Sequence, residues 1–579
     1  MSKKTSKVLA FATGVALILA ACGGDDGDSG SEASTPASEA PATEAPAADC
    51  GPDVLEGGAG GAEGDAAMKI TFDISPDAVW QDGCPITVAD FQCSVNATLN
   101  TPGSISTTGY DKIISIEAGE SSKQVVVTFN AVYAPYKLLF GGLIQASAVA
   151  DCNDISGDFA SLNQVSGREW MMESFSPDQL VYVPNPNYWG DAPTVERVVA
   201  VPFADFDTQS AALLAGEVDF IYPQFFAGIS DALSDANVTS KIDFGGDYEG
   251  FYLQADPARG GPFSDPIFRE AFAKSIDRDA VFEQIYIPLS EGKGKLLNCG
   301  PIVPGQYCDE AFADQFDPEG AVALLEANGW TKNGEGYWAK DGNAPTIRWI
   351  INTGNTRREN TQAFLIPLLQ AAGFNVVADN CDAACYFQQR LPALDYDMAM
   401  YISTAPPDPA YLVSSFTCAQ IPSEANSQQG QNSTGWCNEE ASALLEKSDV
   451  TVDEAERAQL VKDALKLMAG DYVMLPLFQF PKSGFWRTDR LAGPVDAELN
   501  NYRAFNNFSK WEDVDGDGQI VLGAEQWPEC LNPVTECANS SWMVWLTAFP
   551  ILPNVWDTTN DGKLVITNLV TKEPVVEIL

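Results

Sequence analysis

Strand-like and helix-like stretches alternate along the whole chain beyond residue 67, and this alternation constrains the fold most strongly. Residues 123–130 and 179–186 are rich in valine and tyrosine, as strands are. Residues 317–329 open with an aspartate and a proline and close with a glycine, which predicts a capped helix. The chain is therefore α/β or α+β. The roughly 530 residues that follow the N-terminal segment are too many for a single hydrophobic core. Their number predicts two or three domains.

The first 22 residues have the pattern of a lipoprotein signal peptide. Lysines at positions 3, 4 and 7 precede an apolar run that is too short for a permanent membrane span. The run ends in Leu-Ala-Ala-Cys, a lipobox, which predicts that Cys22 carries a lipid; the alternative is an ordinary secretory signal with a chance cysteine. Residues 23–67 form an acidic Pro/Gly/Ser tether with a Gly-rich loop, predicted to be disordered. We expect an extracytoplasmic protein held at the outer face of the cell membrane by lipid alone.

Twelve cysteines besides Cys22 indicate disulfides, because an exported chain meets an oxidising environment. Sequence does not fix their connectivity, so pairing of near neighbours is a hypothesis. Under this hypothesis, Cys50 and Cys152 have no assigned partner. The neighbour pairs are Cys84–Cys93, Cys299–Cys308, Cys381–Cys385, Cys418–Cys437 and Cys530–Cys537.

Composition argues against several function classes. The chain has no histidine, which removes the usual general base and the Ser/His/Asp triad. Neither the phosphate-binding GxxxxGK[ST] loop nor the GxSxG nucleophile elbow is present. The net charge of −47 would repel the phosphates of nucleic acid. We therefore expect a binding protein without a catalytic site, a resident cofactor or a nucleic-acid partner.

Five segments, in order between residues 78 and 412, carry a family resemblance. They are "AVWQDGCPITVADF", "NPNYWGDAPTVERVVAVPFADFDTQSAALLAGEVDF", "FSDPIFREAFAKSIDR", "FDPEGAVALLEANGW" and "LDYDMAMYISTAPPDPAYL". Together they resemble the motifs of the peptide-type solute-binding proteins of bacterial ABC importers, the dipeptide, oligopeptide and nickel family 5.

The resemblance implies a bilobed α/β fold of the periplasmic-binding-protein type, type II and large peptide-binder class, with mixed sheets and a hinge. Lobe I would comprise residues 68–245 and lobe II residues 246–475, with a return to lobe I at 476–512. Such a protein acts as a monomer, closes around a peptide or other small solute, and delivers it to ABC permease subunits. The alternative is a lipoprotein of the same fold used for sensing, adhesion or envelope assembly.

The resemblance also directs attention to the segment around residues 401–408. In the family's peptide binders an aspartate a few residues before the Asp-Pro pair holds the ligand's α-amino group, and the counterpart here is Ala405, which puts a free-amine anchor in doubt. Asp408 is either a ligand contact or a turn residue. The aromatic residues near the cleft segments either stack on the solute or pack in a core. The ligand-binding candidates of this part of the chain are Tyr401, Thr404, Asp408 and Trp436.

Residues 513–525 offer a weak calcium candidate. Asp513, Asp515 and Asp517 fit the first, third and fifth positions of an EF-hand loop. The twelfth position, which needs a bidentate carboxylate, is Ala524. The alternative is a solvated Asp-Gly turn.

The segment 513–579 resembles the opening of the family's lobe I, which is missing from its usual place before Trp80. We therefore predict a circular permutation, with residues 513–518 connecting the former ends. Residues 520–523 should form a strand in the lobe sheet, and Leu579 should lie within about 25 Å of Met68. The rival is an unrelated extension that packs elsewhere. The permutation adds the cleft candidates Glu536, Asn539, Ser540, Ser541 and Trp542. Trp542 and Trp545 are also candidates as aromatic residues that either stack on the solute or pack in a core.

Overall fold

The computed structural model describes residues 49–579 except 160–164, 204, 224, 226–227, 291, 293, 383–384, 392, 424–429, 498–506, 529, 536–540 and 560–561. Cys22 and most of the predicted tether lie outside the described residues. The strands are β1 Met68–Asp73, β2 Ile113–Ala118, β3 Gln124–Phe129, β4 Trp170–Phe175, β5 Leu180–Pro184, β6 Arg197–Pro202, β7 Phe220–Ile221, β8 Val238–Leu253, β9 Thr331–Lys332, β10 Trp338–Ala339, β11 Thr346–Ile350, β12 Asn375–Ala378, β13 Met398–Thr404, β14 Met474–Arg487, β15 Leu491–Ala492, β16 Glu512–Asp513, β17 Gln519–Ala524, β18 Trp556–Thr558, β19 Leu564–Ile566 and β20 Val575–Ile578. The helices are α1 Val88–Asn100, α2 Phe206–Ala215, α3 Ile229–Ala232, α4 Pro266–Lys274, α5 Arg278–Val281, α6 Ile287–Leu289, α7 Pro318–Ala327, α8 Thr356–Ala372, α9 Tyr411–Phe416, α10 Glu439–Asp449, α11 Glu454–Gly470 and α12 Ser541–Thr547.

Two larger sheets organise this bilobed α/β fold. A four-stranded antiparallel sheet has the order β2-β3-β1-β20. A ten-stranded mixed sheet has the order β12-β11-β13-β8-β14-β7-β17-β6-β5-β4. Its strands alternate with helices along the chain, as the sequence pattern predicted. The mixed sheets agree with the fold class that the resemblance implied.

The long strands β8 and β14 connect the two lobes. They pair antiparallel along most of their length, and the pairing shifts register at 476–478 and again at 479–481. Both predicted lobe boundaries, after residues 245 and 475, fall within these strands. At Gly250 an added Cβ would lie 3.1 Å from the carbonyl oxygen of Leu475, so glycine relieves a tight approach of the two backbones. Paired strands with register shifts are the structural form of the hinge.

Lobe I contains two adjoining cores. The four-stranded sheet and α1 bury Phe72, Trp80 and Phe91, each with no exposed surface. A second core packs β4–β6 and β17 against α12 and includes Trp170 and Trp511. At about 25 cal/mol per Å² of buried apolar surface, these large aromatic side chains contribute strongly to folding.

Lobe II is built around the other half of the ten-stranded sheet. One core lies between β8, β11 and β13 and the helices α4, α7 and α8, with Phe268, Phe272 and Trp349 buried. Another packs α10 and α11 onto Tyr252 and Met474 of the long strands. The sequence prediction for α7 is confirmed: Asp317 accepts the N–H of Gly320 at 2.9 Å and caps the helix.

The last strands of the chain complete sheets that begin much earlier in sequence. β17 lies between β6 and β7 and runs parallel to both. β20 pairs antiparallel with β1, so that Ile578 faces Met68, and the N–H of Leu579 donates to Ala67 at 2.9 Å. Both geometric expectations, the strand at 520–523 and the closeness of Leu579 to Met68, are therefore met.

Disulfides join the chain both locally and over longer range. The predicted pairs Cys299–Cys308, Cys381–Cys385 and Cys418–Cys437 are confirmed. The predicted Cys84–Cys93 pair is wrong: Cys93 lies within α1 and bonds to Cys152, whereas Cys84 precedes the helix and bonds to Cys50. Cys530 is disulfide-bonded, and Cys537 lies outside the described residues.

Within the described part of residues 49–579, none of the helices has both the length and the apolar character that a bilayer crossing requires.

Candidate functional site

A cavity of about 530 Å³ lies beside the hinge strands and is walled by segments from both lobes. We call it the cleft. Lobe II supplies the loop 302–307 and the run 405–409, and lobe I supplies the turn of the β18–β19 hairpin. The wall residues are Phe244, Gly245, Ile302, Val303, Pro304, Gly305, Gln306, Tyr307, Ala405, Pro406, Pro407, Pro409, Gln479, Gly562 and Lys563. A cavity between lobes and next to a hinge is the usual place for a small-molecule site.

The floor of the cleft is formed by the hinge strands. The side-chain amide of Gln479 donates to the carbonyl of Gly245 at 2.7 Å, which joins β14 to β8 where their register shifts. The N–H of Ala405 donates to the carbonyl of Gly246 at 2.9 Å. The run 405–409 is thus fixed directly to the hinge.

Asp408 stabilises the run 405–409 through a buried ion pair and a backbone hydrogen bond. Its carboxylate receives both terminal nitrogens of Arg457, at 2.5 and 2.7 Å, and accepts the N–H of Ala410 at 2.9 Å. Both residues are buried. The carboxylate is engaged by a bidentate ion pair, which fits the turn-residue alternative of the sequence analysis.

Sequence reasoning did not identify the loop 302–307 as part of a site. The Cys299–Cys308 disulfide closes it, and the N–H of Leu297 donates to Leu477 on β14 at 3.1 Å. The available signal was the short disulfide loop itself, "CGPIVPGQYC", whose glycines and prolines favour a compact exposed turn.

The β18–β19 hairpin closes the cleft from lobe I. Its Trp556 is buried against Tyr136, with ring centroids 6.0 Å apart, and Lys137 lies over the Trp556 ring at 5.4 Å. The turn brings Gly562 and Lys563 to the cavity wall. The cleft candidates predicted for this segment, at 536–542, precede the hairpin in the chain.

The lobe II candidates divide between the protein's interior and the neighbourhood of the cleft. The Tyr401 ring stacks on Tyr252 at 4.0 Å. Trp436 is buried and donates its indole N–H to Asp471 at 2.9 Å. These contacts fit the core alternative for both aromatic residues. Thr404, adjacent to the cleft wall, is exposed.

The two tryptophans among the lobe I candidates lie within the second core. Trp542 and Trp545 are buried, with ring centroids 5.6 Å apart, and both rings also contact Tyr222. Ser541 is the first residue of α12. Glu536, Asn539 and Ser540 lie outside the described residues.

The lobes also touch beside the cleft. Lys137 of lobe I and Glu454 of lobe II form an ion pair at 3.0 Å. Near it, burial raises the pKa of Asp449 to about 7, although Arg457 at 3.7 Å opposes that shift. The Lys137–Glu454 ion pair therefore joins the two lobes.

The acidic loop at 513–517 is paired with an arginine from another part of the chain. Arg490 contacts Asp219 at 2.5 Å, Asp515 at 2.7 Å and Asp517 at 3.3 Å. Asp513 accepts the N–H groups of Gly516 and Gly518, at 2.9 and 2.8 Å. The guanidinium offsets part of this negative charge, while carboxylate oxygens of Asp513, Asp515 and Asp517 lie within 4.8 Å of one another, and calcium binding stays a prediction.

A smaller cavity of about 290 Å³ lies in lobe I, beneath the same hairpin. Arg168 on its wall donates to Asn554 at 2.7 Å and pairs with Glu169 at 3.3 Å. Arg168 is therefore already engaged by side chains of lobe I.

Comparisons of the sequence identify its relatives. The family model for bacterial extracellular solute-binding proteins, family 5, middle part, matches residues 61–423. The oligopeptide-binding protein OppA of Mycobacterium tuberculosis (strain ATCC 25618 / H37Rv) is 25% identical over 431 residues, which cover 72% of this chain and 70% of OppA.

Solved structures share the fold. The periplasmic EDTA-binding protein EppA aligns with a TM-score of 0.66 and 21% identity, covering 77% of this chain and 84% of EppA. The oligopeptide-binding protein AppA from Bacillus subtilis, in complex with a nonapeptide, aligns with a TM-score of 0.56 and 18% identity, covering 79% of this chain and 88% of AppA. At these identities the likeness supports the bilobed architecture alone.

Proposed function

Because the chain belongs to family 5 of the bacterial extracellular solute-binding proteins, we propose that it captures a peptide or peptide-like small solute and delivers it to the permease of an ABC importer. The observation that carries this proposal is the cleft at the hinge, walled from both lobes. The sequence relative OppA is named an oligopeptide-binding protein, which favours a peptide as the solute.

The mechanism is capture by closure and involves no bond chemistry. A solute that enters the cleft contacts the run 405–409 on one side and the hairpin turn on the other, so it links the lobes. Bending at the register shifts of β8 and β14 would change the distance between these walls. The solute shifts the equilibrium toward the closed arrangement because it binds that arrangement more tightly than the open one. The size of the shift equals the difference between the two binding free energies. A permease that recognises the closed arrangement would then receive loaded protein in preference to empty protein.

Peptide binding tests the proposal through thermal stability. A ligand at 100 times its Kd adds about 2.7 kcal/mol to the free energy of unfolding, so a bound peptide should raise the Tm by several degrees. We expect this shift with at least one pool of short apolar peptides and no shift with the same concentration of free amino acids. Failure of every peptide pool to shift the Tm or to give calorimetric heat would contradict peptide capture.

We also propose that a lipid on Cys22 holds the protein at the outer face of the membrane, since the lipobox is followed by a tether-like sequence. Cys22→Ser should move most of the protein from the membrane fraction to the soluble fraction, because no acyl chain can then be attached. Western blots of both fractions measure this. A Ser6→Ala variant, outside the lipobox, is the control and should stay with the membrane; membrane retention of both variants would contradict the lipid anchor.

A further inference from the structure

We propose that the cleft selects short, apolar, peptide-like solutes whose amino end is blocked or cyclised, rather than peptides with a free α-amine. This inference rests on the proposed function and names its substrate class. It follows from the charges and hydrogen-bond donors of the cleft wall.

The cleft wall has no acidic side chain among its described residues, although the chain as a whole has a net charge of −47. Lys563 is the one charged side chain among them, and Lys295 lies over the ring of the wall residue Phe244 at 5.3 Å. An ammonium group that enters such a cavity loses hydration and gains no opposite charge. The wall therefore disfavours a free α-amine.

Three described carboxylates that lie within or close to the wall segments in sequence are already engaged, and Asp561, which precedes the wall residue Gly562, lies outside the described residues. Asp247, two residues from the wall residue Gly245, pairs with Lys482 at 2.5 Å and accepts the hydroxyl of Thr404 at 2.7 Å. Asp408, within the run 405–409, is held by Arg457 in the bidentate ion pair described above. Asp243 accepts the N–H of the next residue, Phe244, at 2.9 Å. A ligand amine would have to displace a lysine or an arginine to reach Asp247 or Asp408.

The run 405–409 is also poor in hydrogen-bond donors. Prolines at 406, 407 and 409 have no N–H. The N–H of Ala405 is used by Gly246, and the N–H of Ala410, next in the chain, is used by Asp408. A peptide cannot add to this run as a β-strand, because strand addition needs a regular series of backbone donors. Recognition along this wall must come from apolar contact and from ligand N–H groups that donate to its carbonyls.

The remaining wall residues fit an apolar solute of limited size. Phe244, Ile302, Val303 and Tyr307 provide apolar surface beside the prolines. The cleft volume of about 530 Å³ lies within the range for small-molecule sites, roughly 300–1,000 Å³. Lys563 is exposed at the hairpin turn, where it can meet a carbonyl or a carboxylate of the solute.

Matched peptide pairs test the inference. Short apolar peptides are titrated calorimetrically into the full-length protein, each as the free amine and as its N-acetyl form. We expect the acetylated form to bind at least about tenfold more tightly, and a free amine that binds equally or more tightly would overturn the inference while leaving peptide capture intact. Absence of binding by both forms of every peptide would contradict the proposed function, and the inference with it.

A carboxylate added to the wall should reverse the selectivity. Gln306 is an exposed wall residue, so Gln306→Glu places a negative charge in the cleft without changing the size of the side chain. We expect the affinity for the free amine, relative to the N-acetyl form, to rise about tenfold. Gln459→Glu, on the exposed face of α11, makes the same charge change away from the cleft and should leave the ratio unchanged. An unchanged ratio in Gln306→Glu would overturn the inference.

Discussion

Replacing Gly305 by tryptophan should abolish solute binding and leave the fold intact. Gly305 is an exposed wall residue, and an added Cβ would find only the carbonyl oxygen of Val303, at 3.9 Å. The Cβ of the new side chain therefore meets no backbone clash, and the substitution adds a bulky ring at the wall of the cleft. We expect the Kd of any bound peptide to rise at least about 100-fold, which corresponds to about 2.7 kcal/mol. Calorimetry measures the Kd, and circular dichroism checks the fold.

A second glycine provides the matched control. Gly334 lies in the exposed connection between β9 and β10, where an added Cβ meets no atom within 4 Å. Gly334→Trp should bind peptide with an unchanged Kd and unfold at the same temperature as the Gly305→Trp protein. Equal binding by the two variants would mean that the solute does not occupy the cleft.

Replacing Glu249 by glutamine should strongly destabilise lobe II. Glu249 has no exposed surface, and its carboxylate receives Arg357 and Arg358, each with a closest distance of 2.7 Å, and the hydroxyl of Tyr286 at 3.0 Å. The cluster ties the first turn of α8 to the long strand β8. Without the carboxylate, two guanidinium charges stay buried with no counter-charge. We expect the free energy of unfolding, measured with denaturant, to fall by about 3–5 kcal/mol.

The pH dependence of this loss follows from the pKa of Glu249. Burial alone would raise that pKa, but Arg357 and Arg358 outweigh burial and lower it from 4.5 to about 2. The carboxylate therefore contributes its full stability above pH 4.5 and loses it as the pH falls toward 2. The difference between wild type and Glu249→Gln should shrink over the same range. Glu454→Gln, which removes an exposed ion pair, should cost about 1 kcal/mol or less; an equal cost in both variants would contradict this explanation.

Local sequence signals predicted local structure well. The cap at Asp317 and the proline after it predicted the start of α7, because a helix N-terminus is decided by a few neighbouring residues. The short disulfides were predicted because their cysteines are close neighbours in the sequence. The Cys84–Cys93 pair was wrong because Cys93 lies within α1 and Cys84 before it, and each bonds to a cysteine that is more distant in sequence.

The cleft was harder to predict because its wall is assembled from distant parts of the chain. The run around Ala405 was found through a family motif. The loop 302–307 and the turn at Lys563 were missed, since they are far apart in sequence and meet only in the folded structure. The aromatic candidates Trp436 and Trp542 instead lie in cores, as large aromatic side chains in a protein of this size mostly do.

We propose a circular permutation as the origin of the segment order. It is supported by β17, which lies inside the ten-stranded sheet, and by β20, which pairs with β1. Permutation is tolerated where the joined ends are surface loops that lie close together. Moving residues 519–579 ahead of residue 61, by joining the ends through the Gly-rich loop, should give a protein with the same peptide Kd. Loss of folding in that rearranged protein would contradict the proposal.

The position of the bound solute tests the central claim most directly. A crystal structure of the protein saturated with its tightest-binding peptide would show that position. We predict electron density between the run 405–409, the loop 302–307 and the hairpin turn at Lys563, with both lobes in contact with the solute. Density confined to the smaller cavity at Arg168, or to the outer surface of either lobe, would contradict capture in the hinge cleft.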